Sequence, residues 1–245
     1  MKKIILAGMI CMLAGAVWAG DLVQWQDNSL SFLYGNGFDL DPDTQETLTF
    51  EHVSGWAFGD LFIFVDAIYW DGDKDYKGDD WSYYGEIAPR LSAAKILDKD
   101  LSVLFIKDFL LSGCYESGKD SDQNALVGVA VDLAIPGFNF FQLNLYRRFN
   151  DISSSPESYQ LTPVWKMTLP LCNTAVVFDG FIDWVFGDSS RNLHICPQLK
   201  LDVGALVGMD AGSLYAGVEY DYWENKYGVK DVDQSAISAL LKYHF

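Results

Sequence analysis

Basic residues are scarce in this chain of 245 residues. Lysine and arginine together number 17, against 34 aspartates and glutamates, which gives a formal net charge of −17. A surface that binds nucleic acid needs basic side chains to contact phosphates, so the composition argues against nucleic acid as a partner. Disorder is also excluded, because 50% of the residues are hydrophobic and 15% are aromatic, whereas disordered acidic chains are poor in both.

The motifs of common enzymes and metal sites are missing as well. The sequence contains no CxxC pair, no HExxH spacing and no GxSxG elbow, so we predict no metal, no cofactor and no enzymatic activity. Beyond the leader described below, cysteine occurs at Cys114, Cys172 and Cys196, an odd number at irregular spacing. This excludes a dense disulfide scaffold and leaves a single Cys114–Cys196 bridge open.

Long hydrophobic runs are absent after the first 19 residues. Met1-Lys2-Lys3 is a basic start, and Ile4 to Ala16 is apolar. Val17 and Ala19 place small residues at the third and first positions before a cleavage site at Gly20. This pattern predicts a secretory signal peptide over residues 1–19 and one domain, an outer-membrane β-barrel, over residues 20–245. No later stretch reaches the roughly 18 apolar residues of a membrane-spanning helix, so any membrane must be crossed by strands.

Alternation of hydrophobic and polar residues is the strongest pattern that the chain does contain. It is clearest at the C-terminus, where one face consists of Ile237, Ala239, Leu241, Tyr243 and Phe245. The other face carries Ser238, Lys242 and His244, with Leu240 as the exception. A period of two predicts a strand with two different faces, and we expect the aromatic face of this strand to contact lipid.

Similar segments occur along the whole chain. They start near Asn28, Gln45, Phe58, Trp81, Asp100, Gln123, Gly137, Ser158, Asn173, Asn192, Ala211 and Gln234. Acidic loops that contain glycine or serine follow the odd segments, and shorter turns follow the even ones. This alternation is typical of outer-membrane proteins, so we predict an all-β fold, a transmembrane antiparallel up-and-down β-barrel of about twelve strands. A secreted antiparallel sandwich or a soluble barrel is the alternative.

Tryptophan and tyrosine cluster at the predicted strand ends. The clusters are Tyr69-Trp70, Trp81 with Tyr83-Tyr84, and Tyr222-Trp223. Amphipathic rings prefer the membrane–water interface, so these residues are predicted to form an aromatic girdle.

The sequence Glu86-Ile87-Ala88-Pro89-Arg90-Leu91-Ser92 carries a resemblance to a known family. Asp100-Leu101-Ser102 and Lys107-Asp108-Phe109 follow it, and Trp165-Lys166, Gly180-Phe181, Asp183-Trp184 and the closing Phe245 recur in the expected order. The chain resembles the nucleoside-specific channel-forming outer-membrane proteins of the Tsx/OmpK type. This resemblance implies a monomeric, narrow barrel in the lipid of the outer membrane of a Gram-negative bacterium. It also implies passive diffusion of nucleosides and related small solutes, and service as a surface receptor for phages.

Alternation along each segment predicts which side chains face the barrel lumen. The predicted inward residues are Glu86, Arg90, Gly128, Ala130, Asp132, Gln142, Asn144, Tyr146, Arg148, Lys166, Thr168, Asp179, Phe181, Asp183, His194, Gln198, Lys200, Asp202, Tyr215, Glu219 and Asp221. From Leu101 to Leu111 the odd and the even positions are both mainly apolar. Alternation therefore does not decide whether Lys107 or Asp108 points into the lumen. A lumen with rings, amides and carboxylates suits a nucleoside, because rings stack on the base and carboxylates accept hydrogen bonds from ribose hydroxyls.

Eight residues are predicted to contact the solute. Seven of them come from the inward faces: Glu86, Arg90, Asp132, Tyr146, Arg148, Lys166 and Asp183. The resemblance adds Phe38, which lies near the first loop that forms the constriction in such channels. The alternative for each inward charge is structural, because ion pairs often fill a narrow barrel with a satisfied polar network.

Two functions from different classes follow from this barrel. One is a passive channel for nucleosides and similar small solutes. The other is a non-conducting surface protein, an adhesin or phage receptor, that acts through its acidic external loops. Solute flux separates the two, because only the channel supports it.

Overall fold

The computed structural model describes residues 22–70, 72–75, 77–119, 123–150, 158–187 and 191–245. The predicted signal peptide lies outside the described residues and stays a prediction. The strands are β1 (Val23–Asn36), β2 (Thr44–Trp56), β3 (Gly59–Tyr69), β4 (Trp81–Ser92), β5 (Ile106–Gly118), β6 (Asn124–Leu133), β7 (Phe140–Asn150), β8 (Ser158–Leu171), β9 (Thr174–Phe186), β10 (Asn192–Asp202), β11 (Leu214–Glu224) and β12 (Gln234–His244).

These strands form one closed antiparallel barrel. Each strand pairs with its neighbours along the chain, and β1 pairs with β12, with Ser31 opposite Lys242. Closure leaves no open sheet edge, which is the condition for strands to cross a hydrocarbon layer without unpaired backbone groups. The predicted barrel of twelve strands is therefore confirmed.

Two strand starts differ from the sequence prediction by five residues or more, and the others by three or fewer. Strand β1 begins at Val23, five residues before the expected Asn28, and β5 begins at Ile106 rather than near Asp100. The delay of β5 has a local cause, because Val103 and Ile106 exchange backbone hydrogen bonds of 3.0 and 2.9 Å in a tight turn directly before the strand. Helix α1 (Ala93–Leu97) lies in the connection ahead of this turn. Ser92 caps this helix, and its Oγ accepts a hydrogen bond of 3.0 Å from the amide of Lys95.

A second short helix, α2 (Gly204–Val207), lies in the turn between β10 and β11, and a 3-10 turn covers Lys226–Gly228. In the described part of the chain, none of the helices is long and apolar enough to cross a membrane. The odd strands end at one end of the barrel, which we call the external end. The even strands end at the other, which we call the periplasmic end.

Side chains alternate between the lumen and the outside as the sequence predicts. In β12, Leu241 is 49% exposed, whereas Leu240 is 4% exposed and faces the lumen. The open question in β5 is also decided. Asp108 points inward and accepts hydrogen bonds from the Ser92 hydroxyl at 2.5 Å and the Ala94 amide at 3.0 Å. Lys107 is exposed and lies at an irregularity of the strand pairing between Ile106 and Asp108.

In each dipeptide predicted to join the aromatic girdle, only one of the two rings faces outward, and the girdle itself stays a prediction. Tyr69 is exposed on the outside, but its neighbour Trp70 is buried. Trp223 likewise faces the lumen, where its ring stacks on His194. Successive residues of a strand point to opposite faces, so a girdle cannot use both members of such a pair.

The three described cysteines are free thiols. Cys114 on β5 and Cys196 on β10 are buried, and Cys172 is exposed in the turn between β8 and β9. The bridge that the sequence left open between Cys114 and Cys196 is therefore not formed.

Candidate functional site

The lumen is lined mainly by polar side chains, and acidic groups outnumber basic ones among the described residues. The inward acids include Glu51, Asp60, Asp66, Glu86, Glu116, Asp132, Asp179, Asp183, Glu219 and Asp221, and the inward bases are Arg90, Arg148, Lys166, Lys200 and Lys242. Such a surface favours neutral or cationic solutes over anions.

Arg90 forms the most extensive ion pair. Its guanidinium donates two hydrogen bonds of 2.8 Å to the carboxylate of Asp60 on β3 and one of 2.9 Å to Asp132 on β6. Arg90 is 6% exposed, and its partners are 27% and 29% exposed. The arginine of β4 thus links its neighbour β3 to β6, which is two strands away.

A second arginine pair lies nearer the external end. Arg148 on β7 donates to both oxygens of Glu116 on β5, at 3.0 and 2.8 Å. It also donates to Gln160 on β8, and Asn124 donates to Glu116 at 2.8 Å. Both carboxylate oxygens of Glu116 therefore accept hydrogen bonds, as expected for a buried carboxylate.

On the opposite side of the lumen, lysines form the ion pairs with carboxylates. Lys200 on β10 donates to both oxygens of Asp179 on β9, at 2.7 and 2.8 Å. Lys242 on β12 pairs with Glu51 on β2 across β1. Four of the five inward cations are therefore held by carboxylates of other strands.

Carboxylates without a basic partner face one another across the lumen. Glu86 accepts from the Tyr84 hydroxyl at 2.8 Å, and Asp183 accepts from Thr162 at 2.5 Å and Gln160 at 2.7 Å. Few side chains separate them although β4 and β9 lie on opposite sides of the barrel: donor atoms of Glu86 and Glu116 lie within 4.8 Å of each other, and Arg148 bonds both Glu116 and Gln160. The lumen is therefore narrow at this level.

Asp66 marks the same narrow zone from β3. Its carboxylate accepts from the Thr49 hydroxyl at 2.6 Å. It also lies close enough to Glu219 and Asp221 of β11 for their charges to interact. Acceptors from both sides thus converge on the space between them.

Aromatic rings border this zone on both sides. The β3–β4 aromatic wall consists of Phe62, Phe64 and Tyr84, with ring centroids 5.8 Å apart in each contact. The β9–β11 aromatic wall consists of Phe181, His194 and Trp223. In a ring of twelve strands β3–β4 and β9–β11 lie opposite one another, so the rings of the two walls face each other across the lumen.

The structure brings together some of the residues predicted to contact solute. Glu86, Arg148 and Asp183 lie in or beside the narrow zone, and Arg90 pairs with Asp132. Tyr146 packs in a small buried cluster with Cys114 and Leu126, and its hydroxyl bonds Ser112 at 2.7 Å.

Two predicted contacts lie apart from this zone. Phe38 is half-buried in the first external loop, next to Asp39 at the mouth. Lys166 faces inward on β8 opposite Phe140, the first residue of β7, and among the described residues its ammonium group has no ion pair.

The aromatic wall of β3 was missed in the sequence. Both faces of this strand are rich in hydrophobic residues, because Leu61, Ile63 and Val65 alternate with Phe62 and Phe64. Asp60 and Asp66 identify the lumen face in the sequence. They are separated from Phe62 and Phe64 by even numbers of residues, so all four side chains lie on the same face of β3.

Lys226 ties the first and last external loops together. It is 2% exposed, and its ammonium group donates to the Asp39 carbonyl at 2.6 Å, to Gln234 at 2.6 Å and to Asp41 at 3.1 Å. Gln234 also accepts from the Asp39 amide and donates to Asp221. Hydrogen bonds through Lys226 and Gln234 therefore connect the two external loops to Asp221 in the narrow zone.

We expect Lys226→Met to loosen this connection, because methionine fills the space but donates no hydrogen bond. Limited proteolysis should cut loops 37–43 and 225–233 at least several-fold faster than in the wild-type protein. Lys230→Met is the matched control, since Lys230 lies in the same loop and is 87% exposed. Equal cleavage rates in both variants would contradict the proposed link.

Comparisons with known proteins agree with this architecture. A family described as "Nucleoside-specific channel-forming protein, Tsx" matches residues 23–244. Outer membrane protein OmpK of Vibrio parahaemolyticus is 27% identical over 179 residues, which cover 71% of this chain and 67% of OmpK. OmpK of V. parahaemolyticus serotype O3:K6 (strain RIMD 2210633) is 24% identical over 227 residues, which cover 87% and 84% of the two chains.

A solved structure is similar in fold. The KdgM porin has a TM-score of 0.52 and 13% sequence identity, and the match covers 89% of this chain and 99% of the porin. The family and the barrel together identify an outer-membrane, porin-like channel, a class of protein that is not enzymatic. The chain therefore belongs to the nucleoside-specific channel-forming protein family.

Proposed function

We propose that this channel passes nucleosides and similar neutral solutes by passive diffusion, and that it binds them between the two aromatic walls. The observation that carries the proposal is the juxtaposition of rings and unpaired carboxylates in one narrow zone. Phe64 and Tyr84 lie on one side, Phe181 and Trp223 on the other.

The chemistry of this zone matches the two halves of a nucleoside. A base stacks on aromatic rings, and the contact tolerates different bases because each has a π-face. Ribose hydroxyls donate hydrogen bonds to carboxylates, here Glu86, Asp183 and Asp66. A nucleotide would bring a phosphate against these same carboxylates, so the zone disfavours it by charge repulsion.

The other predicted contact residues take supporting roles in this proposal. Arg90, Asp132 and Arg148 hold the strands that carry the walls, through the ion pairs described above. Phe38 meets the solute at the external mouth, and Lys166 lies on its path to the periplasmic end. Tyr146 packs beside the zone.

Single-channel recording of the refolded protein in a planar bilayer tests this function. We expect an open current that nucleosides reduce in a concentration-dependent manner, whereas the corresponding nucleotides and free ribose reduce it much less. Equal block by nucleoside and nucleotide would contradict the carboxylate role. A current that is indifferent to nucleosides would leave a general small pore.

We also propose that the barrel acts as a monomer in outer-membrane lipid. The outside of the barrel supports this, because alternate residues of its strands form an exposed apolar surface, for example Leu30 and Phe32 in β1 and Leu241 and Tyr243 in β12. Phage attachment through the acidic external loops is a second proposal. If no current is observed, the channel proposal is contradicted and a function of the external loops, such as phage attachment, is supported.

A further inference from the structure

Four metal-ligating side chains converge on one patch of the lumen wall. His194 and Cys196 are two residues apart on β10, and Glu219 and Asp221 are two residues apart on β11. Residues at this spacing point to the same face of a strand. The register pairs Ile195 with Tyr222 and Gln198 with Glu219, so Cys196 lies opposite Asp221.

The distances between these donors suit a metal ion. His194 Nε2 lies 3.3 Å from Asp221 Oδ2, and single donor atoms of His194, Cys196 and Asp221 all lie within 4.8 Å of one another. Glu219 lies two residues from Asp221 on the same face of β11, opposite Gln198, and offers a carboxylate as a fourth donor beside these three. Ligand atoms around tetrahedral zinc are roughly 3–4 Å apart, given bonds of about 2.0–2.3 Å, so small side-chain rotations complete the site.

Neighbouring side chains already hold the donors in place. The His194 ring stacks on Trp223 at 3.9 Å between centroids and meets Phe181 edge-on at 5.1 Å. Gln234 donates to Asp221 Oδ1 at 2.6 Å, which leaves Oδ2 directed at the histidine. Partners of this kind orient ligands in metal sites and raise metal affinity.

We propose that His194, Cys196, Glu219 and Asp221 bind one thiophilic divalent cation of the Zn²⁺ or Cd²⁺ class. Imidazole and thiolate select such ions over Ca²⁺ and Mg²⁺, which prefer ligand sets made of oxygen alone. On binding, a sulfur–metal bond replaces the S–H bond of Cys196, and the released proton leaves to lumen water. A cation held here narrows the lumen and blocks solute current.

A second cluster in the lumen provides an internal comparison. Glu86, Cys114 and Glu116 also place their donor atoms within 4.8 Å of one another. There, however, Arg148 donates to both oxygens of Glu116, so a guanidinium already neutralises the carboxylate. That cluster also contains no histidine, which makes Cys114 the matched control for Cys196.

The test uses the full barrel with Cys172→Ser, which removes the exposed turn thiol. Cd²⁺ titration is followed by the ultraviolet sulfur-to-cadmium charge-transfer band and, in a planar bilayer, by single-channel current. We expect one equivalent of Cd²⁺ to produce the band and block the current. Added Cys196→Ser should abolish the band, and added His194→Gln should weaken Cd²⁺ affinity at least about tenfold. Added Cys114→Ser should leave both readouts unchanged.

The proposal is overturned if the band is absent or if it survives Cys196→Ser, and a band that disappears with Cys114→Ser would assign the cation to the second cluster. Far-ultraviolet circular dichroism of each variant verifies that the barrel has folded, and the serine replacement is nearly isosteric. The site does not depend on the proposed solute. A cadmium band in a channel indifferent to nucleosides would contradict the proposed function and leave the metal site standing.

Discussion

Arg90→Leu will lower the free energy of unfolding of the barrel by about 3 kcal/mol. Leucine occupies much of the arginine's volume but leaves the Asp60 and Asp132 carboxylates without their cation. Both carboxylates are less than one-third exposed, so each loses a charged partner where water replaces it poorly. Urea unfolding in detergent micelles, followed by tryptophan fluorescence, measures the change.

Two further variants test whether the loss of stability comes from the ion pairs of Arg90 or from replacing any inward cationic side chain. Arg90→Lys keeps the charge but cannot donate bidentately to Asp60, so it should recover only part of the loss. Lys166→Leu removes an inward cation that has no ion pair among the described residues, and it should change stability by less than about 0.5 kcal/mol. If Arg90→Leu is as stable as the wild-type protein, the lumen network does not stabilise the barrel.

Replacing a ring of either aromatic wall will weaken nucleoside block of the channel. Stacking of a base on an aromatic side chain contributes about 1–3 kcal/mol, so Phe64→Leu and Trp223→Leu should each raise the half-blocking nucleoside concentration roughly tenfold or more. The open-channel current in the absence of nucleoside should persist. Both variants are measured by single-channel recording with increasing nucleoside.

Trp184→Leu is the matched control for these variants. Trp184 lies on β9 as Phe181 does, but it faces outward and is 51% exposed. Its replacement removes a ring from the barrel without touching the lumen, so nucleoside block should stay at the wild-type level. Block that is unchanged in Phe64→Leu and Trp223→Leu would show that the walls do not bind the base.

The facing of most inward residues was predictable because it depends on a local property. Side chains alternate strictly along a strand, so one known lumen residue assigns the whole strand, as Glu86 does for β4. The assignment fails where both parities look alike. This is why β5 around Asp108 stayed open and why Phe62 and Phe64 on β3 were missed.

Contacts across the lumen were not predictable from the same pattern. For Arg90 the sequence predicts either solute contact or a structural ion pair, and it does not identify the partners, which are Asp60 and Asp132. The partner of an inward charge depends on register between strands and on how far the closed barrel staggers them. Neither quantity is encoded in the period of one strand.

The sequence by itself determined that this chain builds a barrel with an apolar exterior and a polar, acidic lumen, because a period of two and a closed hydrogen-bonded sheet leave few other arrangements. The tertiary structure alone decided which groups meet inside it. His194 and Cys196 have no metal-site spacing in the sequence, and they acquire Glu219 and Asp221 only because β10 and β11 pair in one register. Chemistry in this lumen therefore depends on side chains from different strands, and folding is what brings them within bonding distance.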